Sequence, residues 1–381
     1  MPLSEQPPER LPQPKVPRGE LGRLFLKLGS IGFGGPLAHI ALIQDECVEK
    51  RGWIDKRHFL EGLTLCQMLP GPTSTQLAIY SGYRIAGYPG GLISGCAFIL
   101  PAFFLLLGLT WAYFHFGAIP AVQGVFYGMS PVVLAMILAS SFRLAKAAVT
   151  DVLLLVILAV SALLVAFLSF NLILLFALAG VLGILFYGPH RKGGNFAMKH
   201  LALVPFPLLL QLGWFFLKVG SLIFGGGFVI IPFIEREVVN NLGWLTRREF
   251  LDGLALGQIT PGPVVITATF VGYKVASFPG ALVATAAIFL PSFFFVFLGA
   301  GFLRKIEDSR YVQALLKTIN VTAVGAILGA LWSLSRASLW HVFPLALFVA
   351  SLIALLRYKV NFLKVLLCGA LLGWLAHGMG L

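Results

Sequence analysis

The chain has 381 residues, of which 58% are apolar and only 11% charged, with a formal net charge of +13 and a mean hydropathy of +0.91. Water-soluble domains carry about 25% charged residues, so the composition excludes an ordinary soluble enzyme or binding module and places the chain in a bilayer. The basic residues are scattered at the ends of apolar segments rather than gathered on one stripe. That excludes a nucleic-acid partner and marks them as membrane anchors and orientation signals.

In chain order, residues 1–20 are Pro-rich and polar, without the apolar core or cleavage site of a signal peptide, and are predicted to form a disordered cytoplasmic tail. Residues 21–190 form a first repeat, 191–207 a basic linker, and 208–381 a second repeat. Apolar runs such as Val152–Leu168 and Leu172–Tyr187 approach the length that crosses a ~30 Å hydrocarbon core as helix. They show none of the alternation of a membrane barrel. The fold class is therefore an all-α polytopic membrane protein. Cys47, Cys66, Cys96 and Cys368 have no metal-ligand spacing, and neither have the histidines, including His39, His58, His115 and His377. No metal, cofactor or catalytic residue is predicted. No GxxxxGK[ST] motif is present, so ATP is not the direct energy source within this chain.

The repeat is explicit. Phe25-Leu26-Lys27-Leu28-Gly29-Ser30 returns as Phe216-Leu217-Lys218-Val219-Gly220-Ser221, 191 positions later (216 − 25). At that offset Phe33-Gly34-Gly35 returns as Phe224-Gly225-Gly226, Gly52-Trp53 as Gly243-Trp244, and Gln67 with Pro70-Gly71-Pro72 as Gln258 with Pro261-Gly262-Pro263. Gly82-Tyr83-Arg84, Pro89-Gly90 and Pro101 then match Gly272-Tyr273-Lys274, Pro279-Gly280 and Pro291 at an offset of 190 (272 − 82). Gly-Gly and Pro-Gly-Pro inside apolar segments predict broken or re-entrant helices. Matched breaks in two copies suit a transporter with a site between the halves.

Basic residues set the relative orientation of the copies. In the first copy the turns around 115–123 and 169–171 lack Lys and Arg, while the turn near Arg143 and Lys146 has them. In the second copy the first turn carries Arg304, Lys305, Arg310 and Lys317, the middle one only Arg336, and the last Arg357, Lys359 and Lys364. The exchanged bias predicts an inverted repeat. Inversion then needs an odd extra crossing before the second copy, and Leu201–Leu212 is the only apolar stretch without a first-copy counterpart.

Together, Phe33-Gly34-Gly35-Pro36, Gly52-Trp53, Pro70-Gly71-Pro72, Gly82-Tyr83-Arg84 and Phe98-Ile99-Leu100-Pro101, with their echoes, resemble the chromate ion transporter family in its two-domain long form, over residues 21–380. The resemblance implies efflux of chromate across the bacterial inner membrane, chromate resistance, and sulfate as the structural analogue. One departure is Phe-Gly-Gly-Gly, ending at Gly227, where the first copy has Pro36.

An oxyanion needs hydrogen-bond donors and positive potential, which half-helix N-termini supply. Gly34 and Gly35 let backbone approach a ligand, and Pro36 fits the first turn of a new helix. Thr73, Ser74 and Thr75 follow the first Pro-Gly-Pro with neutral donors, whereas the second copy has Val264, Val265 and Ile266, so the polar half of the site is expected in the first copy. The candidate substrate-binding set is Lys27, Phe33, Gly34, Gly35, Pro36, Gln67, Pro70, Gly71, Pro72, Thr73, Ser74, Thr75 and Arg84, with Lys218, Gly225, Gly226, Gly227, Gln258, Pro261, Gly262, Pro263 and Lys274. Glu46, Glu61, Glu237 and Asp252 are matched acids that could carry coupling protons or pair with the basic residues. Expected partners are a small oxyanion, the bilayer and a second copy as homodimer. Plain packing glycines, surface turns and snorkelling cations remain the structural alternatives. The alternative functions are a transporter of sulfate or another small anion and, from a different class, a membrane enzyme on a lipid pyrophosphate, to which Pro-Gly-Pro-Thr-Ser-Thr has a faint likeness. Phosphoryl chemistry would want arginine clamps and a positioned base beside that stretch.

Overall fold

The computed structural model describes residues 16–33, 35–168, 170–188, 207–223, 227–307 and 309–379, with side chains described except at 300–307 and 337. Among them every regular element is a helix. The first copy contributes α1 (Arg18–Ile31), α2 (Pro36–Gln44, continued by a π-helical turn Asp45–Lys50), α3 (Lys56–Met68), α4 (Thr73–Phe116), α5 (Pro120–Ala148), α6 (Val152–Leu168) and α7 (Leu172–Tyr187). The second contributes α8 (Leu208–Leu222), α9 (Ile230–Ile234, between a 3₁₀ turn Gly227–Val229 and a π-helical turn Glu235–Asn241) and α10 (Arg247–Ile259). It ends with α11 (Thr267–Glu307, after a 3₁₀ turn Val264–Ile266), α12 (Arg310–Ser338), α13 (Val342–Leu356) and α14 (Phe362–Gly378). Helix α1 starts inside the stretch read as a tail. Leu208–Leu212 belong to α8, the counterpart of α1, while the rest of that apolar stretch and the expected linker through 206 lie outside the described residues.

Each break is the tip of a helical hairpin. Helices α1 and α2 run antiparallel, since Lys27 reaches Glu46 at 3.3 Å further out while His39 Nε2 donates to the Gly32 carbonyl at 2.6 Å near the bend. Gly35 holds φ 79° there and Pro36 opens α2, as a ring-locked φ permits. Helix α3 and the first arm of α4 form the second hairpin, with Gly62 against the Tyr80 ring and Pro70-Gly71-Pro72 at the bend.

Helix α4 then reverses at Ala86-Gly87, where both residues leave helical φ/ψ. Its arms 73–85 and 88–116 run antiparallel, pinned by Ser94 Oγ donating to Ala78 O at 2.8 Å. The arm 88–116 is roughly 43 Å long at ~1.5 Å per residue, enough to cross the ~30 Å hydrocarbon core. Helix α11 repeats the design, reversing at Ala276-Ser277, with Thr269 and Thr285 hydroxyls 2.7 Å apart. Both Pro-Gly-Pro tips stop halfway: a Cβ on Gly71 would touch Ser292 and one on Gly262 would touch Ala102, residues near the middle of the arms 278–307 and 88–116. The hairpins are therefore re-entrant.

The copies are inverted. The long arms of α4 and α11 run antiparallel, with Gly91 beside Phe297 and Gly95 beside Phe293. Helices α5 and α14 are antiparallel, Gly124 beside His377 and Gly128 beside Gly373, and so are α7 and α12, with Gly183 beside Thr318. Helix α12 runs parallel to α6, Gly325 beside Ser161 and Gly329 beside Val165. Corresponding helices thus point in opposite directions, as the turn charges predict. The halves also exchange partners: α6 and α7 lie on α12 of the other copy, and α13 and α14 on α5. Small residues at these crossings let backbones approach, the usual basis of helix association in lipid. The outward side of α6 exposes Val152, Leu155, Val156, Val160, Leu163 and Phe167, a patch suited to acyl chains rather than water.

With the face where α1 begins called the near face, the first copy's hairpins enter from it and the second copy's from the far face. Helix α7 ends at the near face beside Lys317, and α8 begins at the far face beside Val283. The parity requirement falls on residues 189–206, which lie outside the described residues. Reporters fused after Gly117 and after Glu307 should report opposite sides of the membrane; the same side for both would overturn the inversion.

Candidate functional site

The four tips meet at the centre, and backbone hydrogen bonds join them crosswise. Gly71 N–H donates to the Ile223 carbonyl at 2.7 Å, and Gly262 N–H donates to the Gly32 carbonyl at 3.2 Å. Each Pro-Gly-Pro tip is thereby bonded to the residue preceding the other copy's Phe-Gly-Gly segment. Gly71 and Gly262 hold φ 136° and 135°, values that L side chains rarely adopt. Proline on both sides removes the competing N–H donors.

At this junction the N-terminus of α4 points inward. Its first internal bond is Gln76 N–H to Pro72 O, 3.0 Å, which leaves the N–H groups of Thr73, Ser74 and Thr75 outside the helical ladder. The side chains of Ser74 and Thr75 are 1% and 0% exposed, and their hydroxyls have no hydrogen-bond partner. Gln76 donates Nε2 to Pro70 O at 2.7 Å, while its Oε1 is buried and unpartnered. An unpaired buried polar group costs about 1–3 kcal/mol, so a cluster of them is a place where a bound polar group would be favoured. In the second copy Val264, Val265 and Ile266 are buried instead, and the hydroxyl of Thr267 is spent on Val264 O at 2.9 Å. Gln258 Nε2 remains buried without a partner. Pro36 and Gly227 open the other two inward helix starts.

Among the sequence candidates, Gly35, Pro36, Pro70 to Thr75, Gly227 and Pro261 to Pro263 come together at or beside the junction. Phe33 follows Gly32 with an exposed ring, and Gln67 is exposed one turn before the tip. Gly34, Gly225 and Gly226 lie outside the described residues.

The cations stand away from the tips. Lys27 pairs with Glu46, a buried carboxylate that also binds Lys50 and Arg51. Lys218 lies over the Trp214 ring, 6.0 Å from its centroid. Arg84 and Lys274 sit at the outer ends of their hairpins, just before the reversals, and Lys274 bonds Glu249 at 2.7 Å. Of the matched acids, Glu61 pairs with Arg57 at 3.1 Å and Glu237 accepts from Asn241 at 2.8 Å. Asp252 is buried between the copies, accepting from Tyr113 OH at 2.8 Å and Ser130 Oγ at 3.4 Å. It lines a far-face cavity of about 220 Å³ with Tyr113, Gly117, Gln123, Phe126 and Arg248.

Sequence reasoning missed several groups. Gln76 and Ser292 both stand against Gly71 at the first tip. Glu235 is buried and accepts from Ser333 on α12 at 2.8 Å. At the near face Asp151 accepts from Tyr187 OH at 2.7 Å and from Lys317 Nζ at 3.2 Å, tying the α5–α6 turn to the other copy. The Tyr187 hydroxyl first, then the Leu154 amide and Lys317, hold the Asp151 carboxyl down at about 2. A carboxylate depressed in the folded state stabilises above its ordinary value near 3.8 and loses that contribution as pH falls toward 2.

Two outcomes follow for purified protein in detergent. Asp151→Asn should lower the melting temperature by an amount level between pH 5 and 8 that shrinks below pH 4; a difference that grows on acidification would contradict the assignment. Gly262→Ala, forced to φ 135° with its Cβ 2.8 Å from that of Ala102, should cost roughly 1–3 kcal/mol, visible as a clear fall in melting temperature, and an unchanged one would contradict the tip geometry.

Comparison with known sequences gives one family. The profile of the chromate transporter family matches residues 19–184 and again 210–374. The chain is 37% identical over 372 residues to the chromate transport protein of Cupriavidus metallidurans, covering 94% of this chain and 93% of that one. It is 37% identical over 351 residues to the probable chromate transport protein of Synechococcus elongatus, covering 88% of each. An uncharacterized transporter of Methanocaldococcus jannaschii is 31% identical over 374 residues, 92% of each. No solved structure matches.

Proposed function

Because the chain belongs to the chromate transporter family, we propose that this multi-pass membrane protein is a secondary active transporter that exports chromate across a bacterial inner membrane, conferring chromate resistance. The observation that carries this function is the junction of re-entrant tips at half depth, with the unpartnered hydroxyls of Ser74 and Thr75 beside the open N–H groups of α4. Broken backbone at that depth belongs where it lines a pathway. Inward helix starts suit an anion, and neutral hydroxyls can donate to it without binding it too tightly to leave.

The binding set is then Thr73, Ser74 and Thr75 with the tip backbone of both copies, while Lys27, Arg84, Lys218 and Lys274 raise the potential along the approaches. The near face carries Arg18, Arg23, Arg143, Lys146, Arg357 and Lys359, which supports its being cytoplasmic. From that side an inside-negative potential drives a dianion outward with about 2.3 kcal/mol per charge per 100 mV. Asp252, buried between the copies, is the best placed of the four acids for any coupling proton. Rocking of the inverted halves about the shared junction would expose it to each face in turn.

Proteoliposomes loaded with radiolabelled chromate test the proposal. An imposed inside-negative potential should accelerate efflux through the protein, sulfate should compete, and Ser74→Ala with Thr75→Val should cut the flux at least about tenfold at equal protein content. Efflux equal to that of empty vesicles would overturn it.

A further inference from the structure

The first tip carries a polar group that the repeat does not share. Ser292, on the long arm of α11, is 0% exposed and its hydroxyl has no partner. It faces the first copy's tip: a Cβ on Gly71 would lie 2.7 Å from Ser292 Oγ and 2.6 Å from Gln76 Nε2. Gln76 spends one amide hydrogen on Pro70 O and keeps the second. Two neutral donors from different copies thus lie side by side against the α-carbon of Gly71, at the tip from which α4 starts with the open N–H groups of Thr73 to Thr75. At the pseudo-symmetric place the corresponding residue is Ala102, whose methyl lies 2.8 Å from a Cβ on Gly262. The second tip is closed by carbon where the first is lined by a hydroxyl.

We propose that Ser292, together with Gln76, completes across the copy boundary the binding site for an unprotonated tetrahedral oxyanion. The site is therefore single and asymmetric, built on the first copy's tip and finished by the second copy's long arm. Tetrahedral oxyanions present acceptors in several directions. A hydroxyl from α11 reaches an oxygen that the N-terminus of α4 does not face. Movement of α11 relative to the first tip withdraws this donor, so release of the anion accompanies separation of the halves. The proposal rests on the junction being the transport site.

The test uses the full chain. Ser292→Ala installs the residue found at the symmetric position, and Ser292→Thr restores a hydroxyl. In proteoliposome flux assays with chromate, Ser292→Ala should raise KM about tenfold with the maximal rate changed less than about threefold, weaken inhibition by sulfate in parallel, and be rescued by Ser292→Thr. Unchanged KM and unchanged sulfate inhibition at normal protein content would overturn the proposal, as would a loss confined to protein content. Thermal stabilisation of purified protein by chromate and by sulfate separates the two levels of inference. If wild type is stabilised and Ser292→Ala is not, the binding assignment stands even where chromate flux fails. If neither anion stabilises wild type, or both stabilise the variant equally, it falls.

Discussion

Two backbone hydrogen bonds, Gly71 to Ile223 and Gly262 to Gly32, hold the centre on which the rest of the molecule is arranged. Half-membrane hairpins leave their tips' peptide groups without water, and an unpaired peptide group at that depth costs several kcal/mol. Each tip solves the problem with the other copy's chain. Glycine is required because the peptide must turn through φ near 135° with no Cβ in the way, and the flanking prolines leave one donor to be satisfied instead of three. The crosswise bonds make the tips meet, and their meeting brings four helix starts and the hydroxyls of Ser74, Thr75 and Ser292 to one place.

The peripheral helices reinforce this dependence. Helices α6 and α7 lie on α12, and α13 and α14 on α5, so neither copy closes its own surface. Such exchange suits lipid, where no hydrophobic effect holds helices together and close backbone approach decides partners. Gly128 against Gly373, and Gly183 against Thr318, supply that approach at equivalent crossings. Buried apolar residues of the first copy's hairpins form a cluster, with Val296, separate from the large core that holds the second copy's hairpins together with α5.

Much of this was legible in the sequence because Gly and Pro act locally. The doubled breaks, the turn at Pro36 and the contrast of Thr73 to Thr75 with Val264 to Ile266 all concern backbone conformation or immediate neighbours. The inversion was legible through loop charge. Depth was not. The break at Pro70-Gly71-Pro72 reads from the sequence, but the reversal of α4 at Ala86-Gly87 depends on close approach of Gly82 and Gly90, which no local pattern announces. That reversal carries Arg84 out toward the surface. Ser292 was hidden in the apolar run around it; the signal available was the matched pair Pro101 and Pro291, each followed by a residue that differs between copies, Ala102 and Ser292. Asp252 looked like Glu61 in sequence, yet Asp252 is buried, accepting from Tyr113 and Ser130, whereas Glu61 pairs with Arg57 at the surface.

An inverted pair of identical halves would open to either side at equal free energy, since turning the molecule over would return the same object. Here the halves are not identical at their rims. Asp151, Tyr187 and Lys317 form a charged cluster at the near face, while the corresponding positions at the far face are His341, His377 and Tyr127, where the Tyr127 ring stacks on Phe343 and lies 6.5 Å from that of His377. In the proposed rocking of the halves, a preference of the empty protein for one side would have to come from these departures from symmetry, since the symmetry itself supplies none.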